Sequence, residues 1–232
     1  MKAMILAAGR GERLRPLTDH TPKPLLRAGG RSLIEHLIAG LVASGFRDLV
    51  VNLSHLGELI QAHLGDGRRL DARIVYSPEG PEPLETAGGI RNALPLLGED
   101  PFLVINGDIA TDFPFDRLHG FPVREAHLVL IPNPSHHLQG DFALEDGCVS
   151  TAGHDRYTYA GIGVYRPSLF SALPPGRAAL APLLRQAIPQ GVVTGELYRG
   201  FWMDVGTVER LRALDQRLGR SEPMTVRLDQ TA

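Results

Sequence analysis

The 232-residue chain has one cysteine, Cys148, and one tryptophan. A lone cysteine closes no internal disulfide and builds no thiolate metal cluster, so a reducing compartment is expected. Long apolar runs are also missing, and none approaches the ~18 residues that a membrane span needs. The first apolar stretch, Ala3 to Ala8, is shorter than the ~7–15 residues of a signal-peptide core and meets Arg10, Glu12 and Arg13 at once. The cytoplasm is the expected address. Neither sign of charge dominates, because 24 Lys+Arg face 26 Asp+Glu for a net charge of −2. That balance excludes a chain that coats nucleic acid, and 43% hydrophobic residues against 22% charged excludes a disordered one. No repeat and no low-complexity linker interrupts the chain. The expectation is a single domain over residues 1–220 with a frayed tail at 221–232.

Glycine and proline are in surplus, 26 and 18 residues, above average usage of about 7% and 5%. Between the turns they imply, the first half alternates short apolar runs with helical patterns, which is the mark of βαβ units around a mainly parallel sheet. Met4 to Ala8 is the first strand. Ser32-Leu33-Ile34-Glu35 reads as a capping box, and apolar residues recur at helical spacing from Leu33 to Val42 before Gly45 stops the helix. Strands are expected at Leu49 to Leu53, Ala72 to Tyr76 and Phe102 to Ile105, with helices at Leu56 to Leu64 and Thr86 to Leu97 between them. Beyond residue 110 the pattern loosens into a strand at His127 to Ile131 and antiparallel additions at Phe142 to Ala152 and Tyr157 to Tyr165. Helices return at Ala178 to Ile188 and Val208 to Leu218, with a strand end at Phe201 to Val205.

The first strand runs directly into Leu6-Ala7-Ala8-Gly9-Arg10-Gly11-Glu12-Arg13-Leu14-Arg15-Pro16-Leu17-Thr18, and Thr21-Pro22-Lys23-Pro24-Leu25 follows. Two glycines just past the C-terminal end of a strand let backbone N–H groups approach an anion, and open α/β sheets bind ligands at that end. Arg10, Arg13, Arg15 and Lys23 supply charge that suits a polyphosphate. An isolated G-x-G is equally a plain turn with its arginines on solvated surface. Neither standard nucleotide fingerprint is met, because Leu14 takes the third position of G-x-G-x-x-G and G-x-x-x-x-G-K-[ST] is absent. Asp108 and Asp204 both fall at strand ends, where one sheet edge could converge them. Taken alone, the first is equally an Asx-turn residue and the second a helix cap.

Taken together, G-x-G-x-R-L-x-P-L-T with P-K-P-L, Thr86-Ala87-Gly88, Ile105-Asn106-Gly107-Asp108, Tyr159-Ala160-Gly161-Ile162 and Trp202-Met203-Asp204-Val205-Gly206-Thr207 resemble the sugar nucleotidyltransferase family. Its members join a nucleoside triphosphate to a sugar 1-phosphate and release pyrophosphate. The resemblance runs from Met1 to about Leu218 and implies a Rossmann-like α/β fold, a mainly parallel mixed sheet with helices on both faces and antiparallel additions in the second half. It implies Mg²⁺ as cofactor, held by Asp108 and Asp204. It implies catalytic roles for Lys23, on the α-phosphate or the incoming sugar phosphate, and for Arg13, on the leaving β,γ-phosphates. Ala8, Gly9, Gly11 and Glu12 would line the nucleotide, Glu82, Thr86 and Gly88 would lie near its base, and Asn106, Asp141 and Gly161 would meet the sugar. The physics agrees: in-line attack brings two anions together, so carboxylates help only by holding a cation, and Mg²⁺ prefers hard oxygen ligands. The implied partners are a nucleoside triphosphate and a sugar 1-phosphate, with no nucleic acid and no membrane. The oligomeric state is left open.

The base and the sugar turn on Ser77-Pro78-Glu79-Gly80-Pro81-Glu82-Pro83-Leu84-Glu85-Thr86-Ala87-Gly88-Gly89. Many relatives that use UTP or dTTP carry a Gln at the start of this region, and many guanylyl enzymes read P-L-G-T-A-G. This chain has Glu82 and no Gln, and Glu85 in place of the Gly, which adds a β-carbon and a charge near the nucleotide. P-L-E-T-x-G-G, with Pro134-Ser135-His136-His137 and Gly140-Asp141-Phe142, is similar to the branch of the family that serves peptidoglycan recycling. That branch implies UTP and N-acetylmuramate 1-phosphate as substrates. Thr86-Ala87-Gly88 supports mannose 1-phosphate and GTP as the alternative. His136 and His137 are either readers of a sugar carboxylate or exposed loop residues. The non-enzyme alternative is a catalytically silent regulatory paralogue that binds nucleotide sugars, but Arg13, Lys23, Asp108 and Asp204 are all present. At this length no room is expected for the further C-terminal domains that longer relatives carry.

Overall fold

The structure is a computed structural model and describes residues 1–80 and 83–219. The expected tail at 221–232 and the candidate residue Glu82 lie outside the described residues. The chain begins with β1 (Ala3–Leu6), followed by the short hairpin β2 (Arg27–Ala28) and β3 (Arg31–Ser32), then α1 (Leu33–Ala43) and β4 (Asp48–Leu53). Next come α2 (Gly57–Leu64), β5 (Arg73–Pro78), α3 (Glu85–Leu97), β6 (Phe102–Asn106) and β7 (Ile109–Thr111). The second half contains β8 (Ala126–Ile131), β9 (Phe142–Glu145), β10 (Cys148–Ser150), β11 (Arg156–Tyr165), α4 (Ser168–Ser171), α5 (Leu180–Ala187) and β12 (Val193–Leu197). It closes with β13 (Trp202–Asp204) and α6 (Val208–Gly219).

Nine strands form one sheet in the order β5-β4-β1-β6-β11-β8-β12-β10-β9. The four from the first half are parallel, whereas β11 runs antiparallel to both β6 and β8. Strand alternation sorts the core to two faces. Ala3 and Ile5 of β1 and Leu103 and Ile105 of β6 pack under α1 and α2, while Met4, Phe102 and Val104 pack under α3 and α5. All seven of those strand side chains are at most 1% exposed, as expected where helices cover both faces. The fold therefore matches the expected mixed sheet with helices on both sides. Among the described residues no helix is long and apolar enough to cross a membrane.

Two departures from the expected elements bear on the site. The first strand ends at Leu6 rather than Ala8, because the Ala7 N–H donates to Asn52 Oδ1 (2.6 Å) instead of to a neighbouring strand. The chain is thereby turned out of the sheet at the position where the glycine loop starts. The second departure is β7, which pairs antiparallel with β13 in a separate two-stranded ribbon, with Asp204 opposite Ile109. A third small cluster, Leu14, Leu26, Ala28, Leu33, Val205 and Leu214, packs this ribbon's end and α6 against the segment that follows the glycine loop.

The capping box at the start of α1 is formed as expected. The Glu35 N–H donates to Ser32 Oγ (3.4 Å), and the Ser32 N–H (3.0 Å) and hydroxyl (2.8 Å) donate to Glu35 Oε2. Burial pushes the Glu35 carboxyl up, but the bonds from Ser32, Arg69 and His63 outweigh it and hold the group at about 2, below its ordinary 4.5. A carboxyl lowered by folding contributes stability that is complete above about pH 4.5 and is lost as the pH falls towards about 2. Glu35→Gln is expected to flatten urea-measured stability across that window. Ser32→Ala should cost about 1 kcal/mol at neutral pH. A pH slope unchanged by Glu35→Gln would refute the assignment.

Candidate functional site

A cleft of about 490 Å³ opens at the C-terminal ends of β1, β4, β5 and β6, lined by Ala8 to Arg13, Lys23, Asn52, Glu79, Thr86, Asn106 to Asp108 and Gly206, among others. The glycine loop forms its rim. Gly11 holds φ +65°, and a β-carbon there would lie 3.0 Å from Thr18 Cγ2 and 3.1 Å from Lys23 Cβ. Glycine is required both by the left-handed backbone and by the close packing. The loop is closed by the bond from the Thr18 hydroxyl to Gly11 O (2.9 Å) and anchored by the fully buried Leu14. Arg10 and Arg13 remain exposed at the rim.

Lys23 is 8% exposed, within a one-turn helix that Pro22 caps and Pro24 stiffens. Its Nζ lies 2.5 Å from Asp108 Oδ2. Asp108 is set by the turn after β6, where the Gly107 N–H donates to Leu6 O (2.8 Å) and the Val205 N–H donates to Asp108 O (2.7 Å). That last bond extends the β7–β13 ribbon and joins the chain segments of Asp108 and Asp204. Asp204 Oδ1 accepts from Arg210 and lies 3.1 Å from His136 Nε2. Arg13 belongs to the same corner, since a β-carbon on Gly206 would fall 3.0 Å from Arg13 Nη2 and 3.2 Å from Asp204 Oδ2. The donor set suits a hard divalent cation, which takes one or two carboxylates and completes its shell with phosphate and water. Among the described residues no group of three or more His, Cys, Asp or Glu gathers as an all-protein cage.

A second pocket of about 410 Å³ adjoins the first and shares Glu85, Thr86 and Asn106 with it. Asp141 lines this second pocket together with Phe142, Tyr159 and the α5 residues Leu180, Ala181, Leu184 and Arg185. Asp141 Oδ2 accepts from the Tyr159 N–H (2.8 Å), and Oδ1 lies 3.1 Å from His137 Nε2. Burial pushes the Tyr159 phenol well up, so it stays protonated beside the Tyr165 hydroxyl at 2.8 Å. Gly161, at φ +73°, lies directly over the Asn106 amide.

The sequence-derived candidates thus divide. Ala8, Gly9, Gly11, Glu12, Arg13, Lys23, Thr86, Asn106 and Asp108 line the first pocket, Asp204 lies beside its Gly206 wall, and Asp141 lines the second. Gly88 is elsewhere. It is buried in α3, donates its N–H to Ala178 O (3.0 Å), and a β-carbon on it would come within 2.3 Å of Gly176 O. Its smallness serves helix–loop packing, and it lines neither pocket. Gly89 likewise abuts Glu79 Oε1.

Sequence reasoning missed Asn52 and Glu79. Asn52 Nδ2 donates to Glu79 Oε1 (2.5 Å) while Glu79 Oε2 accepts from the Leu84 N–H (3.1 Å), so the pair ties β4, β5 and the start of α3 into one cleft floor. A lone Asn at the end of an apolar strand was the available signal. His136 and His137 lie on different carboxylates, Asp204 and Asp141, so neighbouring residues reach into both halves of the site.

Residues 2–137 match the nucleotidyl transferase family. The chain is 49% identical to the N-acetylmuramate alpha-1-phosphate uridylyltransferase of Neisseria meningitidis serogroup B over 91% of this chain and 96% of that protein. It is 34% identical to the enzyme of the same name from Caulobacter vibrioides, over 94% and 97%. A mannose-1-phosphate guanyltransferase of Aspergillus fumigatus is also 34% identical, but the match spans 61% of that protein's length. Among solved structures, one described as a glucose-1-phosphate thymidylyltransferase from Bacillus anthracis superposes with a TM-score of 0.82 at 22% identity, covering 96% of each chain. HddC from Yersinia pseudotuberculosis complexed with GMP-PN superposes at 0.76 and 19% identity, covering 93% of this chain and 98% of that one.

Glu85 occupies the junction of the two pockets in the left-handed region, at φ +59°. Its Oε1 lies 2.8 Å from Arg177 Nε and 2.6 Å from Nη2. A non-glycine residue there carries a strain of about 1–2 kcal/mol. Glu85→Ala keeps the strain and loses the ion pair, whereas Glu85→Gly loses both. Chemical denaturation is expected to rank Glu85→Gly above Glu85→Ala by about 1 kcal/mol, and the reverse order would show that the backbone is not strained.

Proposed function

The chain belongs to the nucleotidyl transferase family, and from that premise we propose that it joins UTP to N-acetylmuramate 1-phosphate, releasing pyrophosphate and forming UDP-N-acetylmuramate. The observation that carries this reading is the joined pair of pockets, with the Lys23–Asp108 pair (2.5 Å) in the first and Asp141 in the second. The choice of uridine and of the sugar is supported by similarity to two uridylyltransferases over 91% and 94% of the chain.

In the reaction, a phosphate oxygen of the sugar 1-phosphate attacks the α-phosphorus in line. A new P–O bond forms as the bond to the bridging oxygen breaks, and pyrophosphate leaves with the electron pair. Both reactants are anions, so the chain's contribution is positional and electrostatic. Lys23, aimed by its flanking prolines and by Asp108, meets the α-phosphate. Arg13 meets the departing β,γ-phosphates, the backbone from Ala8 to Glu12 lines the triphosphate, and Thr86 stands near the base. Asn106, Asp141 and Gly161 border the sugar. Asp108 and Asp204 would hold Mg²⁺, which when bound neutralises phosphate charge that carboxylates alone would repel. Arg210 and His136 keep Asp204 oriented.

Pyrophosphate release, measured with each of the four nucleoside triphosphates, Mg²⁺ and either N-acetylmuramate 1-phosphate or mannose 1-phosphate, tests the reading. The expected pair is UTP with N-acetylmuramate 1-phosphate, and turnover of GTP with mannose 1-phosphate alone would overturn it. Chelation should abolish turnover and added Mg²⁺ restore it. Asp108→Asn should lower kcat by about 100-fold or more while circular dichroism remains that of the folded protein; near-normal turnover would remove Asp108 from the metal site.

A further inference from the structure

The second pocket contains three charged side chains, and two already have partners. Glu85 shares one carboxylate oxygen with both the Nε and the Nη2 of Arg177. Both oxygens of Asp141 are engaged, one by the Tyr159 N–H and the other by His137. The third is Arg185. It lies one turn beyond Ala181 on the face of α5 that, with Leu180 and Leu184, walls the pocket. Among the described residues its exposed guanidinium has no hydrogen bond and no ion pair. The cations of the neighbouring cleft are differently placed: Lys23 and Arg210 are committed to Asp108 and Asp204, and Arg10 and Arg13 stand at the glycine-loop rim.

A sugar pocket with one unpaired guanidinium, carboxylates that already have partners and an apolar wall from Leu180 and Leu184 is complementary to a sugar that carries an anion in addition to its phosphate. The paired histidines are poor candidates for reading that anion. His136 and His137 already face the carboxylates of Asp204 and Asp141, so an incoming carboxylate would be repelled at either position. Glu85 would repel it as well without Arg177.

We propose that Arg185 is the specificity-determining residue of the sugar pocket, pairing with a carboxylate borne on the sugar ring and so selecting an acidic amino sugar 1-phosphate over its neutral counterpart. The inference rests on the substrate reading above and adds to it the residue that recognises the lactyl group. Arg177 serves it indirectly, by cancelling Glu85. A guanidinium suits the task because its planar fork matches a carboxylate with two parallel donors.

The test compares the wild type with Arg185→Ala and Arg185→Lys. Dissociation constants are measured by calorimetry for N-acetylmuramate 1-phosphate and for N-acetylglucosamine 1-phosphate, which lacks only the lactyl ether, together with the KM for UTP. Arg185→Ala is expected to weaken binding of the acidic sugar by about 10- to 100-fold, leave the neutral sugar and the KM for UTP unchanged, and leave the circular dichroism spectrum intact. Arg185→Lys should recover part of the loss. Equal weakening for both sugars, or no weakening, overturns the role of Arg185 while wild-type turnover of N-acetylmuramate 1-phosphate keeps the substrate reading. A wild type that turns over a neutral sugar phosphate but not N-acetylmuramate 1-phosphate overturns both.

Discussion

Lys23 and Asp108 hold each other in a cleft that is shaped for anions, and the rest of the site is arranged around that fact. A buried ammonium left alone costs several kcal/mol, and removing Asp108 would expose Lys23 to that cost. With Lys23 8% exposed and its Nζ 2.5 Å from Asp108 Oδ2, each fixes the other's position. The pair also ties the segment after the glycine loop to the turn that follows β6. The same logic extends outward. Asp204 has Arg210, Asp141 has His137, and Glu85 has Arg177. Asp108, Asp204, Asp141 and Glu85 thus each have a partner within the protein, while Arg10, Arg13 and Arg185 have no side-chain partner among the described residues.

The sheet makes this arrangement possible by ending its parallel strands at one edge. Backbone groups leaving that edge must find partners, and side chains supply them: Asn52 takes the Ala7 N–H on one side and donates to Glu79 on the other. Glu79 in turn caps the start of α3 through the Leu84 N–H. One buried amide thereby satisfies three elements and gives the cleft a rigid floor, which is what positional catalysis requires. The β7–β13 ribbon adds the remaining part. It lies outside the main sheet and exists to bring residue 204, from near the chain's end, beside residue 108.

Features whose cause is local were legible in the sequence. The capping box at Ser32 and Glu35, the alternation of Met4 and Ile5 between two faces, and the tight loop at Gly11 follow from short-range chemistry. The strands at Asp48–Leu53 and Phe102–Asn106 were legible because continuous apolar runs are what a doubly covered sheet demands. Features whose cause is distant were not. β12, Val193–Leu197, contains Thr194, Gly195 and Glu196 and has no strand pattern of its own; it forms because β8 and β10 lie on either side to pair with it. Gly88 was given to the base because its motif is shared with nucleotide-binding relatives, yet the close approach it permits is to the backbone at Gly176 and Ala178, far along the chain. Asn52 and Glu79 carry no motif, and only their convergence from separate strands makes them a unit. The role of His136 was not legible for the same reason, since its partner Asp204 is remote in sequence.

Glu85 is where local and global preferences conflict most openly. A glycine would adopt φ +59° without a β-carbon penalty, and the chain keeps a glutamate there. Local rules tend to be broken where a site needs something they do not provide, and here the gain is identifiable. The carboxylate holds Arg177, and the backbone of the same loop is stapled to α3 by the Gly88 N–H to Ala178 O bond and the Ala178 N–H to Leu84 O bond. That loop leads directly into α5, whose face walls the second pocket. Strain at one residue at the head of α3 is therefore spent on fixing the wall opposite Asp141. The residue that distinguishes the P-L-E-T motif from P-L-G-T thus borders both pockets at once.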